Sequence, residues 1–152
     1  MVVLQTPSDF LSYVGQTLGT SGWMTIDQGR IDAFAQATGD DFWIHVDVER
    51  AAREMPGGRT IAHGLMVLGL VPMLQREIFR VERRGKGLNY GSDRVRYTAQ
   101  VPVGSRVRLR QAVKAAEVVA SGTRVITECV IELEGSERPA VVAEFILLLQ
   151  EG

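Results

Sequence analysis

Residues 61–74 of this 152-residue chain read IAHGLMVLGLVPML, and this stretch decides the fold. Apolar side chains occur on every face of a helix for about three turns, a pattern typical of a helix buried on all sides. The pattern predicts one long helix from Ile61 to Phe79, kinked where Pro72 removes a backbone donor. The apolar run is shorter than the ~20 residues that span a bilayer, and His63 lies within it. We therefore expect no membrane partner.

After this helix the apolar residues alternate with polar ones, which is the period of strands half buried in an antiparallel sheet. The predicted strands lie around Val95 and Tyr97, over residues 106–113, over residues 124–133 and over Phe145–Leu149. A fully apolar helix followed by such strands predicts an α+β fold in which the sheet wraps around the helix.

The first half of the chain predicts two further helices. Thr25 and Gln28 have the spacing of a capping box, which places a helix at Gln28–Thr38. Gly39 follows as its left-handed stop. A short helix is predicted at Val48–Glu54.

Composition and charge narrow the class of protein. The chain has 17 basic and 18 acidic residues, so its balanced charge argues against a dedicated nucleic-acid binder. Its single cysteine, Cys129, excludes a disulfide framework and a multi-cysteine zinc site. The first ten residues hold no Lys or Arg and lack the charged head of a signal peptide. We predict one domain over residues 1–152 of a soluble, cytoplasmic protein.

Residues 40–47, DDFWIHVD, form a loop unusually rich in chemical groups. Asp40 and His45 could hold a water molecule between them and remove its proton. Packing against Phe42 and Trp43 would keep solvent away from the carboxylate. The alternative is that Asp40 is a solvated turn residue and His45 only a satisfied hydrogen-bond donor.

Two further features of the first half concern ligands. Asp40, His45, Asp47 and His63 are possible metal ligands, but no His pair has helical zinc spacing and no thiol is near, so no metal is predicted. His63 and Gly64 open the apolar helix, where the backbone amides have no helical partner and can receive a developing oxyanion. The alternative is that Gly64 only permits the helix to pack closely against the sheet.

Residues 34–47 and 61–64 together resemble the MaoC-like dehydratases, in particular the NodN-type branch, which include (R)-specific enoyl-CoA hydratases. Residues 89–91, 94–97 and 101–105 also look like family segments, so the resemblance covers nearly the whole chain. The resemblance implies the hot-dog fold, in which an antiparallel β-sheet wraps around a long central helix.

The resemblance also implies the catalytic pair. In the family an Asp and a His five positions later bind the catalytic water, and here these are Asp40 and His45. Asp41 is one position short and is the weaker partner. Many relatives carry a polar residue between the pair, where this chain has Phe42 and Trp43, and this puts water placement and substrate preference in question.

We predict from the resemblance a hydratase that adds water across C2–C3 of a trans-2-enoyl-CoA and gives an (R)-3-hydroxyacyl thioester. Asp40 is the general base, His45 positions the water, and the Gly64 amide beside His63 binds the thioester oxygen. No metal or redox cofactor is expected. Two alternatives stay open: a hot-dog acyl-CoA thioesterase, and a protein that binds acyl thioesters without turnover.

A homodimer is predicted because the sheet leaves edge strands whose backbone groups need a partner. The hot-dog resemblance implies the same arrangement, with active sites near the interface. The pantetheine arm and nucleotide of the substrate would then lie along the dimer groove, where Arg94 or Arg96 would meet phosphate.

Overall fold

A computed structural model describes residues 1–152, and its main element is a six-stranded antiparallel sheet. The strands of the chain are β1 (Val2–Leu4), β2 (Thr17–Thr20), β3 (Met24–Thr25), β4 (Phe79–Val81), β5 (Arg84–Tyr97), β6 (Arg106–Val119), β7 (Gly122–Leu133) and β8 (Val141–Glu151). The main sheet has the order β2-β6-β7-β8-β5, with β3 also beside β6, while β1 and β4 form a separate parallel pair.

Five short α-helices connect or cover these strands. They are α1 (Gln28–Thr38), α2 (Trp43–Val46), α3 (Val48–Glu54), α4 (Gly64–Leu68) and α5 (Val71–Leu74), and 3-10 turns lie at Pro7–Tyr13, Pro56–Gly58 and Gln75–Glu77. None of these helices has the length and apolar character needed to cross a bilayer.

The alternating segments are strands, as predicted. In β7, in β8 and in β6 as far as Val113, every second side chain is buried on the inner face, which packs on the helices. The two-residue to four-residue strands β1–β4 were not predicted, because such short segments show no period of their own. Most of β5 is exposed, and its length follows from its pairing with β8 rather than from an apolar pattern.

The helix predicted from Ile61 to Phe79 is shorter and interrupted. It begins at Gly64, and Phe79 already belongs to β4. The backbone at Gly69 and Leu70 stays right-handed, but the hydrogen-bonded pattern breaks there. The expected effect of Pro72 explains this, because proline has no N–H and its ring clashes with the preceding turn.

The broken helix is also not buried on every side, which corrects the prediction. Leu65 is 62% exposed and Met73 is one of the exposed large apolar residues. The opposite side of the same segment enters the core through Met66, Val67 and Val71. One side of α4 therefore remains available to a ligand or to another chain.

The α1 helix has the predicted bounds, and Gly39 ends it with a φ of 80°. Its cap, however, is Asp27, whose carboxylate accepts a hydrogen bond from the Arg30 amide at 2.8 Å. The capping box between Thr25 and Gln28 is therefore wrong: Thr25 belongs to β3, and the Gln28 side chain makes contacts elsewhere. The α3 helix has its predicted bounds.

The two edges of the main sheet differ greatly in length. At one end lies β2 with four residues, and at the other lies β5 with 14 residues and only β8 as its partner. Leu88 and Tyr90 near the middle of β5 are 57% and 67% exposed. A long edge strand with exposed apolar side chains is a surface that proteins ordinarily cover.

The buried thiol of Cys129 gives a first prediction. Burial raises the pKa of Cys129 from its ordinary 9.0 to about 11, so the thiol stays protonated near neutral pH. We expect a thiol-specific reagent at pH 8 to leave the native protein unmodified and to label one thiol per chain in denaturant. Because the folded-state pKa is raised, the contribution of this group to stability declines as the pH rises from 9 toward 11. Fast labelling of native protein would contradict the burial.

Candidate active site

A pocket of about 280 Å³ lies where α4 begins and β5 ends. Its walls include the four predicted site residues and two that the sequence did not single out: Asp40, His45, His63, Gly64, Leu65 and Tyr97. The structure therefore brings the loop after α1 and the start of α4 together at one cavity.

The two histidines join the two segments of the pocket, residues 40–47 and residues 61–64, by hydrogen bonds. The Nδ1–H of His45 donates to the backbone carbonyl of Ile61 at 2.7 Å, and the Nε2–H of His63 donates to that of Asp40 at 2.8 Å. The imidazole rings stack with centroids 3.7 Å apart. Each ring is thus fixed by a carbonyl of the segment that carries the other ring.

These hydrogen bonds decide which ring nitrogens are free. A carbonyl only accepts, so the neutral rings keep a lone pair on His45 Nε2 and on His63 Nδ1. His63 is 2% exposed, its Nδ1 has no partner, and its ring also packs on Phe34. His63 was predicted to bind substrate. In the structure its hydrogen bond positions the backbone of Asp40.

The Asp40 carboxylate lies beside the histidines, with one ligating atom each of Asp40, His45 and His63 within 4.8 Å of the others. The expected shielding by Phe42 and Trp43 is wrong in the single chain. Asp40 is exposed, Phe42 is 57% exposed, and the Trp43 ring lies 4.1 Å from the Arg50 guanidinium carbon. Asp40 is therefore solvated, as the alternative reading expects, yet it stands next to His45.

Three of the four possible metal ligands lie close together in the structure. Asp47 caps α3 by accepting from the Arg50 amide, so it is outside the cluster. Asp40, His45 and His63 could reach one small cation, but each histidine already commits one nitrogen to a carbonyl.

The surroundings of Gly64 are compatible with both interpretations considered for it. Its amide is the first of α4 and has no acceptor within the protein. A Cβ at this position would lie 2.7–3.0 Å from ring atoms of Tyr97, so only glycine fits beneath that ring. Tyr97 was predicted only as a strand residue, since nothing in its local pattern shows which helix end it covers.

A second residue that the sequence misjudged is Gln28. Its Nε2 donates to the carbonyl of His45 at 2.8 Å, and its Oε1 accepts from the buried hydroxyl of Thr60 at 2.6 Å. The first residue of α1 thus ties the loop of residues 40–47 to the segment that precedes α4.

Gln28→Leu tests this bridge. It leaves the Thr60 hydroxyl and one carbonyl without a partner, so we expect the free energy of unfolding to fall by about 1–3 kcal/mol. Urea denaturation measures the change. The matched control is Gln36→Leu on an exposed position of the same helix, and equal stability of the two variants would contradict the bridge.

Arg94 and Arg96 do not line this pocket, and their contact with phosphate in a dimer groove stays a prediction. The Arg94 Nε lies 3.8 Å from a carboxylate oxygen of Glu144, and Arg96 pairs in register with Val142. Glu144 and Val142 alternate with the buried residues of β8 and so lie on the outer face of the sheet. The pocket opens on the inner face.

Comparison with known proteins identifies the family. Residues 9–134 match the model described as MaoC like domain. The chain is 44% identical over 148 residues to 3-hydroxyacyl-thioester dehydratase Z of Mycobacterium tuberculosis, covering 97% of both chains. It is 43% identical over 145 residues to nodulation protein N of Rhizobium leguminosarum bv. viciae, covering 94% of this chain and 90% of the relative.

A solved structure shows the same fold. The R-hydratase PhaJ1 of Pseudomonas aeruginosa superposes with a TM-score of 0.72 over 91% of this chain and 83% of its own, at 21% identity. The predicted α+β, hot-dog architecture is therefore confirmed, although its central helix is interrupted. By its sequence and by its fold, this chain belongs to the MaoC-like dehydratase family, whose NodN-type branch the sequence predicted.

Proposed function

We propose that this protein is a hydro-lyase that adds water reversibly across C2–C3 of trans-2-enoyl-CoA to give the (R)-3-hydroxyacyl thioester. One observation carries the proposal: the Asp40 carboxylate stands within 4.8 Å of a ligating atom of a tautomer-fixed His45. The name of the 44% identical relative, a 3-hydroxyacyl-thioester dehydratase, supports the same chemistry.

His45 and Asp40 have different roles in the proposed reaction. His45 Nε2 accepts a hydrogen bond from the water, because its other nitrogen is committed to Ile61. Asp40 takes a proton from this water while the oxygen forms its bond to C3. The C2–C3 π electrons move toward the thioester carbonyl, and the Asp40–His45 pair returns the proton to C2. The atoms of one water molecule are thereby added without any other reactant.

The enolate oxygen needs a donor in this step. The free amide of Gly64 at the start of α4 lies in the wall of the same pocket and supplies one. A preorganised donor of this kind is typically worth about 3–4 kcal/mol. Since the thioester already polarises the double bond, the proposed step uses neither a metal nor a redox cofactor.

The test is loss of the enoyl absorbance of crotonyl-CoA, followed by chiral analysis of the product. We expect turnover, an (R) product and an unchanged rate after treatment with a chelator. Wild-type protein that is inert on short, medium and branched enoyl-CoAs would overturn the proposal.

Two assays separate the alternatives. Release of free thiol from butyryl-CoA or palmitoyl-CoA would favour a thioesterase. Tight binding of acyl-CoA without turnover, unchanged by His45→Ala, would favour a binding protein. The fixed orientation of the two histidine rings favours catalysis over binding alone, because a wall that only binds needs no fixed tautomer.

We also propose that the protein is a homodimer joined through β5. The long free edge and the exposed Leu88 and Tyr90 support it, since edge pairing across a two-fold axis covers both. Light scattering is expected to give twice the 16.7 kDa of one chain. A fully active monomer would contradict this. The cytoplasm remains the predicted compartment.

A further inference from the structure

Tyr97 contributes an aromatic ring to the wall of the active-site pocket. A Cβ built on Gly64 would come within 2.7–3.0 Å of three atoms of this ring, so the ring packs against Gly64 with no room for a side chain between them. Tyr97 is 47% exposed and Leu65 beside it is exposed too, whereas Val67 and Val141 in the same wall are buried. Tyr97 therefore stands at the mouth of the pocket, over the start of α4.

A β-bulge in β5 decides that Tyr97 faces the pocket. Between Asp93 and Arg96 the strand advances by three residues, while its partner β8 advances by only two. The extra residue places Tyr97 opposite Val141, which is buried on the inner face. In a ladder without the bulge, Arg96 would stand opposite Val141 and Tyr97 would turn to the outer face.

Arg94 carries the backbone strain of this bulge. Its φ of 52° lies in the left-handed region, and it is the only residue other than glycine with a positive φ. An L-residue is disfavoured there because its Cβ crowds the backbone. The side chain does not compensate, since it is 80% exposed and its Nε lies 3.8 Å from a carboxylate oxygen of Glu144. Strain of this kind persists where the surrounding structure requires it, and it is concentrated at functional sites.

The ring has a consequence for the thioester oxygen of the substrate. An oxygen that accepts a hydrogen bond from the Gly64 amide lies beside the Tyr97 ring, at the mouth where water would otherwise reach it. A hydrogen bond stabilises a developing negative charge more strongly where water is excluded. Because the charge grows on this oxygen during the reaction, the stabilisation is larger in the transition state than in the bound substrate.

We propose that Tyr97 covers the thioester oxygen held by the Gly64 amide, and that the left-handed Arg94 is the positioning residue that turns the ring onto it. This deepens the proposed function and rests on it. Tyr97 touches the substrate, whereas Arg94 acts only through its backbone. Both residues belong to the same chain as the Gly64 amide, so the effect does not depend on how two chains pair.

The first test replaces Tyr97 and measures steady-state hydration of crotonyl-CoA. Tyr97→Ala opens the mouth and should lower kcat about 10-fold, a part of the roughly 10²- to 10³-fold that a whole oxyanion donor contributes. Tyr97→Phe keeps the ring and should restore most of this loss. KM should change less than kcat, because the shielded charge develops only in the transition state. The matched control is Trp23→Ala, which removes a ring stacked on Arg108 at the outer face and should keep wild-type kcat.

Three outcomes would overturn the role of the ring. An unchanged kcat in Tyr97→Ala would show that the ring does not act on the rate. An equal loss in Tyr97→Phe would assign the effect to the hydroxyl, and a rise in KM alone would assign the ring to substrate binding only. Inert wild-type protein would overturn the proposed function, and this role of Tyr97 with it.

The second test compares Arg94→Gly with Arg94→Val. Both substitutions remove the guanidinium, so any contact that it makes with the substrate is lost equally. Only glycine adopts the left-handed backbone without strain, and a β-branched residue is the least suited to it. We expect kcat of Arg94→Val to be about 10-fold below that of Arg94→Gly, the same loss that removal of the ring causes.

The double variant Arg94→Val with Tyr97→Ala shows whether Arg94 acts through the ring. If it does, kcat equals that of Tyr97→Ala alone, since no ring remains to be aimed. Multiplied losses, or equal kcat in Arg94→Val and Arg94→Gly, would overturn the positioning role. If thermal unfolding shows that Arg94→Val is not folded, Arg94→Asn and Arg94→Ala give the same comparison with less strain, because asparagine tolerates the left-handed conformation better than alanine.

Discussion

Replacing Asp40 by asparagine is expected to lower kcat for enoyl-CoA hydration about 10²- to 10⁴-fold, the usual contribution of a general base. The substitution keeps the size of the side chain and removes the group that accepts the proton of water. The Asp40 backbone carbonyl still receives the His63 hydrogen bond, so the pocket should keep its shape. KM and the unfolding transition should therefore remain close to those of the wild type.

Asp41→Asn is the matched control, since it changes the same charge one position along the same exposed loop. It should retain activity within a few-fold of wild type, because Asp41 does not line the pocket. Steady-state rates of crotonyl-CoA hydration distinguish the two variants. Equal losses would show that the charge of the loop matters rather than the base, and full activity of Asp40→Asn would exclude Asp40 as the base.

Gly64→Ala is expected to lower kcat about 10²-fold or more, the scale of losing one oxyanion donor. The new Cβ would meet the Tyr97 ring at 2.7–3.0 Å, so either the ring or the first turn of α4 must move. Both line the pocket, and a shift of α4 carries the free amide away from the substrate. Thermal stability should fall as well, because overpacking costs about 1–3 kcal/mol.

The double variant Gly64→Ala with Tyr97→Ala separates these causes. Activity that returns to the level of Tyr97→Ala alone would show that the ring clash causes the loss. Gly29→Ala serves as control, since its Cβ would meet nothing closer than 3.4 Å, and it should stay active. Wild-type activity of Gly64→Ala would contradict the close packing of Gly64 against the Tyr97 ring.

The candidate site was largely predictable because its residues lie in two short segments of sequence. Asp40 and His45 share one loop, and His63 and Gly64 open the next apolar element, so local patterns suffice to nominate them. The long strands were predictable for the same reason, since alternation is local. What the sequence does not show is that the two histidines exchange carbonyl partners between these segments.

The features that the sequence did not show depend on contacts between distant residues. Gln28 looked like a cap, but Thr60 and the His45 carbonyl compete for its side chain. The faces of Arg94 and Arg96 depend on the register shift between Asp93 and Arg96 in the pairing with β8. A bulge of this kind moves side chains to the other face and leaves no period in the sequence.

The exchange of carbonyls between the two histidines has an evolutionary consequence. Because each ring secures the backbone next to the other, substitutions at His45 and His63 should be epistatic: the second costs less than the first. The two segments therefore form one structural unit. A designer who transplants the loop of residues 40–47 into another scaffold must carry residues 61–65 with it, because Leu65 also lines the pocket.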